Sequence, residues 1–350
     1  MRLSSALVLT WISIGFLASQ PAAQGGREGP QVVVERQVYL MGTRCRLAAV
    51  AADRESAIRG LESLLTLLEA SEGELSTWRP NSRLSLLNQQ PLFQPLALHP
   101  GLCRLFEELR RWHYETGGAF DPFIGRLLEA WDIRGRGHLA QAPELEAALQ
   151  ASGLRHIRFD PQACTVAKER EVLIDAGAFG KGEALDRAFA HSQKLGLKGW
   201  MADLGGQIGV WGNPPRGLDW DVRVAHPRHR QQTLTALKLA AGSLAVSGGS
   251  ERDLTVDGEA VSHIIDPRTG RPVSFRGSTV VWHQSGLASD VLSTALYVMG
   301  TDQGSKWAQE RGIAACFLIP GNDGDRVSFR CSARFREVFG HLPGIRSSSE

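Results

Sequence analysis

Cysteine spacing with chemical meaning is missing from this chain. Cys45, Cys103, Cys164, Cys316 and Cys331 form no CxxC and no Cys/His pattern, which argues against a zinc site and a redox dithiol. With five cysteines, at least one thiol stays unpaired. Cys316 lies in the apolar run Ala314-Ala315-Cys316-Phe317-Leu318-Ile319, so a buried free thiol is expected rather than a bridge to Cys331, and no disulfide is expected. A surplus of one charge is also missing. The 39 basic and 37 acidic residues are interspersed and give a net charge of +2, which offers no electrostatic case for nucleic acid. There is no internal repeat, no low-complexity stretch beyond Ser347-Ser348-Ser349, and neither a Walker loop nor a GxGxxG.

Long apolar runs are absent apart from one. After Met1-Arg2 the chain is apolar from Ala6 to Ala18, interrupted by Thr10, Ser13 and Gly15, and then enters Ser19-Gln20-Pro21-Ala22-Ala23-Gln24. This run is short of the roughly 20 residues that a spanning helix needs. It reads as a secretory signal peptide over residues 1–23, cut near Ala22 or Ala23. No cysteine follows it, so no lipoprotein anchor is indicated. The expectation is an exported, periplasmic, soluble protein with no membrane span after cleavage. The remainder, with its functional domain over 31–340, is large enough to bury a substantial core in one large domain or two packed subdomains.

Gln31 to Val50 reads as two strands joined at Met41-Gly42-Thr43. The spacing of Ile58, Leu61, Leu64, Leu65 and Leu68 predicts a helix over Arg54 to Ala70, followed by a break at Arg79-Pro80-Asn81-Ser82 and a loop ending in Leu86-Leu87-Asn88. A second helix runs from Leu102 to Glu115 and stops at Gly117-Gly118. Then come a strand at Val172 to Asp175, a helix at Lys181 to Leu195, and a strand at Trp200 to Asp203. A Gly-rich, strand-like stretch follows from Gln207 to Val280, then a helix from Ser289 to Gly300 and a closing strand near Ala315 to Ile319. Without a regular βαβ period, the pattern indicates an α+β fold.

Five segments carry chemistry. In Asp290-Val291-Leu292-Ser293-Thr294-Ala295 a helix sets the Asp290 carboxylate and the Thr294 hydroxyl one turn apart on one face. That pair suits a hard cation held by oxygens alone, Mg²⁺ or else Ca²⁺; the other reading of Asp290 is a helix cap. The turn Asp175-Ala176-Gly177-Ala178-Phe179-Gly180-Lys181-Gly182 aims backbone N–H groups at an anion such as phosphate, or else serves only packing. Asp203-Leu204-Gly205-Gly206 shares that ambiguity. His263-Ile264-Ile265-Asp266-Pro267-Arg268-Thr269-Gly270 combines turn residues with an imidazole, His263, that is either a general base or a hydrogen-bonded structural group. Trp78, in Ser76-Thr77-Trp78-Arg79-Pro80, either stacks on a planar ring or fills core.

In their order and spacing, these segments resemble the FAD:protein FMN transferases, the ApbE-type flavin transferases, from about Tyr39 to about Gly300. The resemblance rests on Met41-Gly42-Thr43, Ser76 to Ser82 ending at Asn88, Thr116 to Pro122 with Trp131 beyond, and Asp175 to Gly182 with Asp186. It continues through Asp203 to Gly206, Ser247-Gly248 with Glu251-Arg252, His263 to Gly270, and Asp290 to Ala295. The resemblance implies one large domain of two packed α/β subdomains. It implies Mg²⁺ as cofactor and FAD as substrate, with FMN passed onto a Ser or Thr hydroxyl of an acceptor protein and AMP released. On the same ground Asp290, Thr294 and the Gly180 carbonyl hold the metal, and His263 is the catalytic base. Met41, Trp78, Ala119, Phe120, Asp121, Gly177, Glu183 and Ile264 line the FAD site.

Several residues depart from the family's usual pattern. Trp78 stands for a Tyr, Phe123 for a Thr, Phe179 for an Ile, Glu183 for a Tyr, Asp203 for an Asn and Val246 for a Thr, and the hydroxyls lost at 123 and 246 are candidate phosphate or ribose contacts. Two alternatives follow: a Mg²⁺-dependent FAD pyrophosphatase releasing FMN and AMP, and a non-catalytic exported flavin-binding protein. The chain has no Asp-x-x-(Ser/Thr)-Gly-Ala-(Ser/Thr) acceptor motif, so self-modification is not expected.

Overall fold

The structure, a computed structural model, describes residues 31–248, 253–256, 258–321 and 326–340. The segment expected to be a signal peptide, Glu251-Arg252 and the terminal serines lie outside the described residues.

The chain opens with β1 (Val32–Leu40) and β2 (Thr43–Ala51), an antiparallel hairpin with Leu40 opposite Thr43. Its turn residues Met41 and Gly42 both have positive φ, 51° and 72°, as a two-residue hairpin turn requires. Next come α1 (Arg54–Leu75), α2 (Arg83–Gln89), β3 (Leu96–Ala97), α3 (Pro100–Glu115), α4 (Gly125–Ala130) and α5 (Ala142–Gln150). β4 (Ile157–Asp160), β5 (Thr165–Lys168), α6 (Gly180–His191), β6 (Gly199–Asp203) and β7 (Gln207–Gly212) follow. Then come β8 (Trp220–Ala225), β9 (Thr233–Leu239), β10 (Gly242–Gly248), β11 (Leu254–Val256), β12 (Glu259–Val261) and β13 (Ser278–His283). The chain closes with α7 (Gly286–Glu310), β14 (Ala314–Pro320), β15 (Val327–Cys331) and α8 (Ala333–Phe339).

One sheet organises the molecule: eight strands in the order β1-β2-β6-β7-β10-β13-β14-β15, each pair antiparallel. Both faces are buried, which explains the unbroken apolar runs. In β2, Leu47, Ala49 and Ala51 pack with α1 and α6, while Ala48 and Val50 point to the other face with Val222, Val224, Leu237 and Leu239 of the β8-β9 hairpin. α7 packs on the same side as α6 and carries Val291, Ala295 and Leu296 into the largest core cluster, together with Phe106, Phe120, Phe123 and Phe179. The expected α+β class therefore holds.

Some local expectations do not. Arg83–Gln89 is helical rather than loop: Ser82 caps it by accepting the Ser85 N–H at 3.0 Å, and Leu84 and Leu87 are buried. Val172 to Asp175 is buried but belongs to no strand, because its hydrogen-bonding groups go elsewhere. Asn88 takes both main-chain groups of Ile174, the Gly125 N–H takes the Leu173 carbonyl, and the Asp175 N–H takes the Pro122 carbonyl. Helix α7 is longer than its sequence signal, with Gly300 at φ 74° marking a break inside it.

The cysteines also differ from expectation. Cys103 is bonded to Cys164, with Cα atoms 5.4 Å apart, and Cys316 to Cys331. The β14-β15 register sets Cys316 directly opposite Cys331. Cys316 is buried as expected, but so is its partner, and burial does not prevent a bridge. Cys45 is the free, buried thiol among the described residues.

Candidate active site

The backbones of α6 and α7 nearly touch. A Cβ on Gly182 would stand 2.2 Å from the Gly286 carbonyl oxygen, and a Cβ on Gly286 would stand 2.5 Å from that of Gly182. Glycine at both positions is what permits this approach. The helices are also stitched reciprocally. Asp186 of α6 accepts from the Ser285 hydroxyl at 2.6 Å and from the N–H groups of Gly286 and Leu287 at 2.5 and 3.0 Å, capping α7. Asp290 of α7 reaches back and accepts the Gly182 N–H at 2.8 Å. Ser285 is the N-cap of α7, so Asp290 does not cap its own helix.

Asp290 is only 5% exposed. Burial pushes its carboxyl up, opposed by the charge of Lys181 and by the N–H groups of Gly182 and Lys181. Among the described residues no basic side chain forms an ion pair with it. A buried carboxylate in this position favours a bound cation. One turn on, Thr294 Oγ1 lies 3.2 Å from Ser247 Oγ, which is itself 2.8 Å from Ser293 Oγ. Gly180 opens α6, in the same first turn that Asp290 contacts. A carboxylate, hydroxyls and main-chain carbonyls are hard donors that fit Mg²⁺. No group of three or more His, Cys, Asp or Glu among the described residues makes an alternative metal centre.

The 175–182 turn is fixed from several directions. The Asn88 amide donates to the Ile174 carbonyl at 3.0 Å and accepts the Ile174 N–H at 2.8 Å, and the buried Lys168 ammonium donates to the Asn88 carbonyl at 2.8 Å. Asp175 accepts the Gly177 N–H at 2.7 Å and pairs with Arg134. Arg134 in turn donates to Thr77 Oγ1 at 2.6 Å and lies over the Trp78 ring at 4.6 Å. Trp78 is 70% exposed, so it is not a core residue, and its indole can stack on a ligand. Met41 belongs to the same neighbourhood, since a Cβ on Gly180 would lie 3.8 Å from its methyl carbon. The Met41 N–H donates to Glu72 Oε1 at 2.7 Å, holding the residue in its left-handed turn.

Ala119 and Phe120, expected to line the FAD site, bury their side chains in the core. Asp121 is internal as well. It accepts the Phe123 and Leu154 N–H groups at 2.8 and 2.9 Å and lies 3.3 Å from His113 Nδ1. Burial pushes its carboxyl up, with His113 and those two N–H groups opposing. Ile264 is buried. Glu183 is mostly covered and accepts from Arg187 at 2.8 Å; burial pushes its carboxyl up, partly offset by Arg187. Phe123 and Phe179 are also core residues, so at these two departures from the family pattern the side chain packs against apolar neighbours.

His263 sits just beyond β12, with its side chain 22% exposed. Its Nδ1 is 3.2 Å from Asp253 Oδ1, and its own N–H donates to the same oxygen at 3.1 Å. Arg276 Nη1 lies 3.4 Å from the other Asp253 oxygen. The segment is anchored further along, where Trp131 Nε1 donates to the Gly270 carbonyl at 2.8 Å. No hydrogen bond joins His263 to the Asp290 group among the described residues.

Sequence reading missed Asp253, Arg134 and Lys168, and it took Asn88 only as the end of a motif. Single polar residues outside any motif give no signal until the fold supplies their partners.

Helices packed on an eight-stranded antiparallel sheet define the chain as an α+β protein, and comparison makes the class definite. The ApbE family model matches residues 41–317, and the chain belongs to that family. A curated relative from Vibrio cholerae named FAD:protein FMN transferase is 29% identical over 265 residues, covering 74% of this chain and 78% of its own length. One of the same name from Escherichia coli K12 is 24% identical over 304 residues, covering 85% and 86%. Among solved structures, the flavin transferase ApbE from Vibrio cholerae superposes with a TM-score of 0.76 at 26% identity, covering 89% of this chain and all of its own. The apbe protein from Thermotoga maritima gives 0.79 at 26% identity and covers the same shares.

Proposed function

We propose that this protein transfers FMN from FAD onto a Ser or Thr hydroxyl of an acceptor protein in a Mg²⁺-dependent reaction that releases AMP. The observation that carries the reading is Asp290, a buried carboxylate with no ion-pair partner among the described residues, joined to the first turn of α6 beside the glycine turn. The names of the curated relatives support the choice of substrate. Asp290, Thr294 and the Gly180 carbonyl would hold the metal, which when bound neutralises charge developing on the phosphates. Trp78 offers a stacking face, and the 175–182 turn offers N–H groups to phosphate oxygens. The acceptor hydroxyl oxygen bonds to the FMN phosphorus while the bond from that phosphorus to the bridging oxygen breaks. AMP leaves with the bridging oxygen, and the hydroxyl proton passes to Nε2 of His263.

The test is to mix the mature chain with FAD, MgCl₂ and a domain carrying the Asp-x-x-(Ser/Thr)-Gly-Ala-(Ser/Thr) motif, following acceptor mass and free AMP. One added FMN with matching AMP is expected. Free FMN and AMP with an unmodified acceptor would mean the pyrophosphatase. Bound FAD without AMP would mean the carrier, a reading whose support is the substitutions at Phe123, Phe179, Glu183 and Val246. His263→Ala is expected to retain FAD and lose transfer; undiminished transfer removes it from the mechanism.

We also infer that residues 31–340 act as one exported, periplasmic unit after removal of residues 1–23. The two cysteine pairs support this, because disulfides persist in oxidising compartments. N-terminal sequencing of the protein from a periplasmic extract checks it, and an uncleaved cytoplasmic chain would refute it.

A further inference from the structure

Asp253 belongs to no motif, yet the fold gives it a specific partner. β11 and β12 pair antiparallel with Leu254 opposite Val261, so the open end of this short hairpin brings Asp253, just before β11, beside the residues just after β12. There a single carboxylate oxygen, Asp253 Oδ1, receives both the backbone N–H of His263 at 3.1 Å and its ring Nδ1 at 3.2 Å. The second oxygen faces Arg276 Nη1 at 3.4 Å. The carboxylate is thus held between a cation and the imidazole, with its side chain only 18% exposed.

We propose that Asp253 is the positioning residue for His263. A carboxylate accepts and does not donate, so the atom that faces it must carry the proton: Nδ1 is N–H and Nε2 bears the lone pair. The paired backbone contact fixes the Cα position from which the ring projects, so one side chain sets both tautomer and direction. When Nε2 takes the acceptor's proton, the positive charge formed on the ring lies beside an existing carboxylate, the arrangement by which an aspartate supports a histidine base elsewhere. The inference rests on the reading of His263 as the base, and it assigns that base the atom that does the work.

The test uses the whole mature chain and Asp253→Asn, Asp253→Ala and Asp253→Glu variants, with thermal unfolding as a check on folding. ¹⁵N-resolved NMR of ring nitrogens, with His263 assigned by its loss in His263→Gln, reads the tautomer directly. Wild type is expected to show the Nδ1–H form, and Asp253→Ala the Nε2–H form or a mixture. With FAD, MgCl₂ and the acceptor domain, kcat is expected to fall about 10–100-fold in Asp253→Ala, taking as guide the range seen when the outer partner of a metal-binding histidine is lost. KM for FAD should stay within about twofold, since among the described residues the hydrogen-bond partners of Asp253 are His263 and Arg276, neither of which is an expected FAD-lining residue, and Asp253→Glu should recover part of kcat. A tautomer and kcat indifferent to all three substitutions would overturn the inference, as would a loss that appears wholly in KM or in folding. The tautomer is read whether or not His263 is the base. A fully active His263→Ala together with an Asp253-dependent tautomer therefore overturns the base reading alone, and an Asp253-independent tautomer overturns this inference alone.

Discussion

Gly182 donates its backbone N–H to Oδ2 of Asp290 at 2.8 Å, across the closest approach of α6 and α7. One carboxylate thus serves as a clamp between two helices and as the charged member of the proposed metal site. The two roles separate by substitution. Burial raises the Asp290 carboxyl in the folded chain, so its stabilising contribution is complete below the unfolded value of about 4 and is lost as pH rises through the folded value. In metal-free protein at pH 7 to 8, Asp290→Asn, which keeps an acceptor for Gly182 without the charge, should therefore melt no lower than wild type. That advantage should vanish near pH 4. Added MgCl₂ should raise the melting temperature of wild type and leave the variant unmoved; an equal Mg²⁺ response in both would exclude Asp290 as a ligand.

Gly182→Ala places a methyl 2.2 Å from a backbone oxygen, a contact that a rotamer change cannot relieve. The helices must separate, at a cost of about 1–3 kcal/mol. Urea unfolding should show a lower midpoint with an unchanged slope, and Mg²⁺ binding should weaken because Asp290 loses its register on α6. A neutral midpoint would mean that the crossing is looser than described.

Phe123→Thr restores the residue usual in the family. Phe123 is fully buried, with its ring 6.4 Å from that of Phe106, so the change removes core volume rather than adding a ligand contact. A loss of roughly 3 kcal/mol or more is expected, with FAD affinity of the folded fraction unchanged. A gain in FAD affinity would place position 123 in the site after all.

Burial pushes the Cys45 thiol up to about 11. Its contribution to stability is complete below the ordinary thiol value of 9.0 and is lost as pH rises through about 11. Native protein at pH 8 should therefore give no reaction with a thiol reagent. Unfolded and unreduced chain should give one thiol, and unfolded, reduced chain all five. Three free thiols without reduction would remove one of the two bridges.

Asn88→Leu deletes both side-chain bonds to Ile174 and leaves two buried main-chain groups unpaired, a cost of about 1–3 kcal/mol for each. Because Ile174 leads directly into the glycine turn, FAD affinity should fall along with stability, as equilibrium titration of flavin fluorescence would show. Unaltered FAD affinity would detach the clamp from the site.

Apolar patterning and turn residues determined the first hairpin, α1, α3, α6, β6 and the α+β class, because local spacing reports which face is buried whatever lies opposite; the strands between Gln207 and Val280 read only as one Gly-rich, strand-like stretch. Motif order placed Asp290, Thr294, Gly180 and His263 as candidates. Tertiary structure decided whatever depends on a partner distant in the chain. Val172 to Asp175 is as apolar as a strand but is hydrogen-bonded by Asn88 and by loops. Cys316 looks like a core thiol until the β14-β15 register sets Cys331 opposite it. Asp290 looks like a cap until Gly182 and Gly286 let α6 come within its reach. Asp253 is one acidic residue among many until a hairpin turns it toward His263. Local spacing encodes burial, whereas a hydrogen bond, a disulfide or a shared carboxylate needs two groups at a set distance, and only the folded chain sets that distance.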